Sequence, residues 1–353
     1  MHKHNTTLGW DIGGAHLKAA LVDADGTALQ VIQVPCALWR GLDQLEKAID
    51  VVSAKLDHMP DQHAVTMTGE LADVFTDRNA GVAHISAVMI EHFAKENGRE
   101  VRFYAGPSGL VSAREVSLYA AEIASANWLA SATYMAMQVN QGLLVDIGST
   151  TADFILLGDG KPQIRGYSDA ERMQFEELVY SGVVRTPLMA LADRVPFAGE
   201  WHTLAAEHFA TTADVYRLTG DLNEAEDMAE TADGTGKTPE ESARRLARMI
   251  GRDLHDAPIS AWIGLAYAFK QIQLNTLKNA AMRNFSRHLV DYRAPIIVAG
   301  AGDFLVRDMA RQLKRKYLEA SHMISAHNDE TRSWAGVCLP AYAVAYLAAK
   351  NAT

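Results

Sequence analysis

The chain has 353 residues, of which 48% are hydrophobic and 22% charged, the composition of a globular protein long enough for two domains of comparable size. Its net charge of -10 excludes a general nucleic-acid binder, which needs lysines and arginines to replace counterions along the phosphate backbone. The two cysteines, Cys36 and Cys338, are too far apart in sequence for a disulfide framework or a zinc motif and read as reduced core thiols.

A first strand-like run begins at about Thr6, which leaves no room before it for the apolar core of a secretory signal. "TTLGWDI", "LKAALVD" and "ALQVIQV", punctuated by glycines and the "DADG" turn at 23–26, predict an antiparallel three-strand meander. The spacing over 42–56 predicts a helix, "HAVTMTG" a buried strand, and 82–97 a second helix, before a closing strand at "VRFYAG".

The same grammar restarts near residue 141. "QGLLVDIGSTTADFILLGDGKPQIRG" predicts three more strands with tight turns, and Asp146 falls 135 residues after Asp11, so "WDIGGAHLKAALVD" aligns with "VDIGSTTADFILL". A repeat of that length points to a duplicated domain rather than a solenoid. A mostly helical insertion follows, in which 199–218 and 238–254 flank an acidic, glycine-containing stretch at 219–237, read as an exposed loop or lid. A long helix over 259–285 leads to "APIIVAGAGDFLV", a strand, glycine turn and helix. The basic cluster "RDMARQLKRK" puts Arg311, Lys314 and Arg315 on one helical face, a solvated surface with no assigned function. A terminal helix, 335–350, is expected to pack back onto the first domain. The longest apolar stretch, 335–349, is about 15 residues with Pro340 inside it, short of the roughly 18 to 20 a membrane span needs. No membrane and no nucleic acid are expected as partners, and the expected compartment is the cytoplasm.

The two glycine turns carry the functional expectation. Glycine lets a backbone approach an anion with its N–H groups unobstructed by a Cβ. In "DIGGAHLK" the expected donors are Gly13, Gly14, Ala15 and His16, with Lys18 as a point charge; in "DIGSTTAD" they are Gly148, Ser149, Thr150 and Thr151. Two such hairpins facing each other would clasp a di- or triphosphate. Asp11 and Asp146, at the strand ends, would be repelled by bound phosphate unless a divalent cation lay between them, and Mg2+ takes one or two carboxylates plus phosphate oxygens. Asp153 is a third carboxylate candidate, as partner of a metal-bound water or as a base. The later turn Gly300, Ala301 and Gly302, between a strand and a helix, reads either as a site for a phosphate or a nucleoside sugar or as a close-packed turn. His16 reads as a surface residue or a phosphate donor.

These three turns resemble the phosphate-1, phosphate-2 and adenosine motifs of the actin-like ATPase superfamily. "VTMTGELADVF", "FYAGPSG", "ASANWLASA", "VDIGSTTADF" and "EELVYSGVVRTPLMAL" are similar to the hydantoinase-A-like branch linked to tetrahydromethanopterin C1 transfer and methylotrophy. The resemblance covers nearly the whole chain. It implies an α/β, actin-like ATPase (duplicated RNase H-like) fold, two domains with mixed sheets flanking a central cleft. The first would span 1–125 plus 335–353, and the second 126–334 with a helical insertion at about 195–255. It also implies a methanofuran-biosynthesis transferase joining an aminomethylfuran-methyl pyrophosphate to the phenol of tyramine or γ-glutamyltyramine, with release of pyrophosphate. Mg2+ is the implied cofactor; the implied partners are a phosphorylated small molecule and a phenolic amine, and a homo-oligomer is left open.

For that chemistry a base should help the phenol, whose ordinary pKa is ~10. Asp153 and Glu70 are the candidates, Glu70 reading equally as an acid near the start of the next helix. Arg185 could meet a pyrophosphate bidentately or make a structural ion pair. The helix over 259–285, with Trp262, Tyr267 and Phe269, could line a furan pocket or pack in the core. The alternatives in function are an ATP-dependent kinase or a hydantoinase/oxoprolinase-like hydrolase of the same fold, with ATP as cofactor. A third, a nucleotide-gated binding protein, lacks an extended partner-binding domain.

Overall fold

The computed structural model describes residues 6–95 and 99–351, and the chain divides into two compact units. One holds the chain through Gln141 together with Leu157–Glu171 and the chain from Glu319 on; the other holds Gly142–Leu156 and Arg172–Leu318.

The first unit opens with the expected meander, β1 (Thr7–Ile12), β2 (His16–Val22) and β3 (Ala28–Pro35), paired antiparallel. Helix α1 (Asp43–Lys55) crosses to β4 (Gln62–Met67), which lies parallel to β1 with Asp11 beside Thr66. Helix α2 (Arg78–Met89) leads to β5 (Glu100–Tyr104), and a short β6 (Leu110–Ser112) closes the edge. Sheet order is β3-β2-β1-β4-β5-β6. Alternate residues of β1 and β4, including Leu8, Trp10, Ile12, Val65 and Met67, form one core with Ile49 of α1 and Val82 and Ile85 of α2, as the period-two side-chain geometry of a strand requires. Helices α3 (Ala120–Ile123) and α4 (Asn127–Gln138) complete this stretch.

The second sheet is built from β7 (Gln141–Ile147), β8 (Ala152–Gly158), β9 (Lys161–Pro162) and, after α5 (Asp169–Phe175), β10 (Leu178–Val179). A hairpin, β11 (Arg194–Phe197) and β12 (Glu200–Thr203), precedes the helices α6 (Thr212–Thr219), α7 (Pro239–Met249) and α8 (Ile259–Phe285). Strand β13 (Ile296–Ala299), helix α9 (Asp303–Gln312) and strand β14 (Tyr317–Glu319) end it, giving the order β10-β8-β7-β13-β14. Helices α10 (Asp329–Val337) and α11 (Leu339–Asn351) belong to the first unit, where α11 packs on β1, β2, β4 and α4.

Several local expectations are corrected. The helix expected over 82–97 starts earlier, at Arg78, where the Asp77 carboxylate accepts from Ala80 N at 2.8 Å; it ends at Met89 and passes into a π-helical stretch, Ile90–Lys95, while 96 and 97 lie outside the described residues. The third strand of the second meander is only two residues long, because Pro162 donates no ladder bond, and its place beside β8 is also taken by β10. Residues 200–203, expected in a helix, form β12: Ala198 and Gly199 at φ 52° and 84° make the tight turn that a two-residue hairpin needs. The stretch at 219–237 is a loop, but a pinned one, since buried Asp227 is held by Arg217 and Lys237. The terminal helix breaks at Cys338, and the helix carrying Arg311 stops at Gln312, so Arg315 instead stacks over the Phe285 ring at 3.5 Å. Both cysteines are buried thiols, and no disulfide joins them. No helix among the described residues is long and apolar enough to cross a membrane.

Candidate active site

In the first unit, β1 ends in the carboxylate of Asp11, and the chain turns back through Gly13–His16. The turn is closed by Gly13 N–H donating to His16 O at 3.0 Å. Lys18, two residues into β2, brings Nζ to 3.5 Å from Asp11 Oδ2. The next parallel strand, β4, delivers Thr68 N–H to Ile12 O at 2.9 Å, and a single 3-10 turn, Gly69–Leu71, then sets Glu70. The side chain of Glu70 is buried, at 1% exposure. The hydroxyl of Ser125 donates to its Oε1 at 2.6 Å, and Oε2 is buried without a hydrogen-bond partner among the described residues. Burial disfavours the charged form and pushes the Glu70 carboxyl up to about 7, opposed by the Ser125 bond. Asn127, the first residue of α4, donates from Nδ2 to Asp11 Oδ1 at 3.3 Å.

In the second unit the counterpart turn closes the same way, with Gly148 N–H donating to Thr151 O at 2.9 Å. Behind it runs the segment 180–187, whose Val183, Val184 and Arg185 N–H groups donate to Gly148 O, Ser149 O and Ser149 O. The approach needs a glycine at 182, since a Cβ there would stand 2.4 Å from Thr150 N. Gly182 is itself held by Thr186, Thr212 and Gln273 of α8. Strand β13 lies parallel to β7 with Ala299 beside Asp146, and Gly302 N–H donates to Ile147 O at 2.8 Å, so the turn Gly300–Gly302 packs on the start of the second hairpin. The turn residues of both hairpins other than His16 are partly open to solvent.

These positions change several expectations about individual residues. Gly13 and Gly148 spend their N–H groups inside their own turns, so the free donors are fewer than the sequence reading counted. Among the described residues the N–H groups of Gly14 and Ala15, and of Ser149 and Thr150, make no hydrogen bond. His16 is buried at the start of β2 rather than on the surface, because its carbonyl closes the turn. Glu70 does not cap a helix; Asp77 caps α2. Asp153 accepts from Arg172 Nη2 at 2.7 Å, which commits one of its oxygens. Arg185 exposes its side chain while its backbone holds the turn. Trp262 and Phe269 are fully buried in the core, whereas Tyr267 of the same helix is exposed, so the three line no common pocket.

Asp11 and Asp146 were the residues expected to hold Mg2+. Each site offers oxygen donors, the chemistry a hard cation takes, but among the described residues no group of three or more His, Cys, Asp or Glu forms a metal cluster. One carboxylate at each turn fits an ion that arrives with a phosphate and its own waters, rather than one caged by protein. Ser125 and Asn127, both within "ASANWLASA", join the candidate site although the sequence reading assigns neither a role.

Both sheets place their first strand third from one end, between its hairpin partner and a parallel strand, β4 beside β1 and β13 beside β7. With a glycine turn after the first strand of each, this is the duplicated RNase H-like, actin-like ATPase fold. An acetone carboxylase in its nucleotide-free structure shares it, with a TM-score of 0.53 at 10% identity, covering 88% of this chain and 68% of that one. The model of the hydantoinase/oxoprolinase family matches residues 61–340, and the chain belongs to that family. A protein of Methanocaldococcus jannaschii named (4-{4-[2-(gamma-L-glutamylamino)ethyl]phenoxymethyl}furan-2-yl)methanamine synthase is 28% identical over 302 residues, covering 85% of this chain and 87% of that one. A protein of the same name from Methanococcus vannielii is 28% identical over 174 residues, covering 49% of this chain and 76% of that one. These similarities support an enzyme related to methanofuran synthases.

Proposed function

We propose that the protein forms the aryl ether of a methanofuran precursor, transferring a furanylmethyl group from its pyrophosphate to the phenol of tyramine or γ-glutamyltyramine. The relatives' name describes a phenoxymethyl-furan, the ether such a transfer makes. The bond from the methylene carbon to the pyrophosphate oxygen breaks and the electron pair leaves with the pyrophosphate. The phenol oxygen bonds to that carbon, and its proton passes to the enzyme. The furan oxygen delocalises the positive charge that develops on the methylene, so neutralising the leaving group is the main demand. Preorganised donors and charges are the usual means of meeting it.

The single observation that carries this reading is Glu70: a buried carboxyl whose Oε2 has no hydrogen-bond partner among the described residues, held near neutrality in its proton affinity, and brought beside the Gly13–His16 turn by the parallel register of β1 and β4. Lys18 and the N–H groups of Gly14 and Ala15 bind the leaving pyrophosphate, Glu70 Oε2 accepts the phenol proton, and Arg185 with Ser149 and Thr150 offers a second set of anion donors. Mg2+, held with the phosphates by a turn carboxylate, Asp11 in the first unit or Asp146 in the second, would supply further charge neutralisation. Asp153 serves to hold Arg172 rather than to move a proton.

The presence of the Gly300–Gly302 turn, packed at Asp146, favours a second reading in which the fold keeps a nucleotide site and acts as an ATP-dependent kinase or ring-opening hydrolase. One experiment separates them. The protein is mixed with Mg2+, the furan pyrophosphate and tyramine, with and without ATP. Pyrophosphate and aryl ether formed at equal rates in both is the expected result; no product without ATP, and ADP formed with a small polar substrate, would favour the second reading.

A further inference from the structure

Resting on the reading above, in which Glu70 receives the phenol proton, we infer that Ser125 is a positioning residue that directs this proton to Oε2 and that its loop ties Glu70 to the phosphate-binding turn through Asn127. Three observations on one short segment carry this. Ser125 holds a left-handed backbone, φ 52°, a conformation costly for a residue with a Cβ and kept only where the surroundings fix it. Its hydroxyl has a single proton and gives it to Glu70 Oε1, a buried bond between residues 55 apart in sequence. With Oε1 occupied as an acceptor, Oε2 is the oxygen left to take a proton, and it is the one buried without a partner.

Two residues further on, Asn127 is oriented by its own helix. Its Oδ1 accepts Trp128 N–H at 2.7 Å, which leaves Nδ2 to reach Asp11. The segment Ser125–Asn127 therefore grips the carboxyl at the end of β4 with one side chain and the carboxylate at the end of β1 with another.

The charged groups that act on Glu70 from other elements are Arg78 of α2 and Asp169 of α5, which pair with each other at 2.7 Å and so act in opposite directions on the carboxyl. Ser125 is the neutral partner that favours the ionised form. Its hydrogen bond opposes the rise that burial imposes.

The test uses the full chain and two variants, S125A and S125G. S125G removes the hydroxyl while suiting the positive φ, so it folds even if S125A does not. The protonated-carboxyl band of Glu70 is followed by infrared difference spectroscopy across pH, assigned by its loss in E70Q. Both Ser125 variants should move its midpoint up by about one pH unit. The acidic limb of kcat/KM for pyrophosphate release should move by the same amount. An unmoved carboxyl band in S125A and S125G overturns the inference. A band that moves while the acidic limb stays fixed upholds the role of Ser125 and overturns the role of Glu70 as the phenol's base, so the two failures are told apart.

Discussion

Trp10 donates its indole N–H to Nδ1 of His63 at 3.0 Å, and that bond fixes which nitrogen of the imidazole carries the proton. Nδ1 must be the acceptor, so Nε2 is protonated and donates to Pro60 O at 3.1 Å. The ring lies in the core of the first unit, stacked on Phe93, and burial pushes its pKa down to about 3. A histidine with a depressed folded pKa stabilises the fold fully above its unfolded value of 6.5, and that stability is lost as pH falls towards 3. Glu70 works in the opposite sense. Its folded pKa is raised from 4.5 to about 7, so its contribution is fully present below 4.5 and lost as pH rises through 7.

From pH 4.5 to 6.5 the two slopes therefore oppose each other, each being about 3 kcal/mol across the window. Urea unfolding of the wild type should show little dependence on pH from this pair. H63Q, whose amide can still accept from Trp10 and donate to Pro60, should expose the Glu70 term, with stability rising on acidification. E70Q should expose the His63 term, with stability falling on acidification. Parallel pH profiles for all three proteins would refute the assignment of both groups.

Gly300 governs how closely the third glycine turn approaches the second hairpin. It sits at φ 81°, and a Cβ there would stand 2.3 Å from Asp146 Oδ1 and 2.4 Å from Ile147 O. G300A therefore combines a strained backbone with overlap against main chain that cannot yield, and should cost about 2–4 kcal/mol in denaturant unfolding. Pyrophosphate release should fall with it, since the Asp146 carboxylate is displaced. A G300A protein with unchanged unfolding midpoint would show that the turn is looser than its contacts indicate.

The two hairpin turns were legible in the sequence because their signal is local: a strand, an acid, glycine, and a copy 135 residues later. The structure repeats the turn closure at the same offset, Gly13 to His16 and Gly148 to Thr151. The long helix was legible for the same kind of reason, as unbroken helical spacing over 259–285. What the sequence hid is non-local. Ser125 reaches Glu70 across 55 residues and Asn127 reaches Asp11 across 116, and no spacing rule couples positions brought together by strand order. The β11–β12 hairpin was missed because an alanine, not a glycine or asparagine, takes the first positive φ of its turn.

Lys18 separates charge from geometry at the first turn. It is the cation beside Asp11, while the turn itself is closed by backbone. K18M should leave the Gly13–His16 closure intact and lower kcat/KM for the pyrophosphate substrate about 10²–10³-fold, the range for losing one charge-stabilising group. Steady-state pyrophosphate release, together with pyrophosphate inhibition weakened by a similar factor, would check it. A K18M enzyme with wild-type kcat/KM would remove Lys18 from the site.

The two carboxylates proposed as bases from the sequence should now behave differently. Asp153 is held by Arg172, whose side chain is 2% exposed and which also donates to Glu177 O at 3.0 Å. D153N removes the Asp153 ion pair from that buried guanidinium, at a cost of about 3 kcal/mol in stability. Its effect on turnover at saturating substrate should stay within about tenfold, because no proton passes through it. E70Q removes the proton acceptor and should lower kcat about 10²–10⁴-fold at neutral pH. At that pH it should not destabilise the fold, since it replaces a carboxyl whose ionisation burial opposes with a neutral amide that can still accept from Ser125. Measuring kcat and urea midpoints for both variants side by side checks the assignment. A large kcat loss in D153N with stability intact, and an active E70Q, would exchange the two roles.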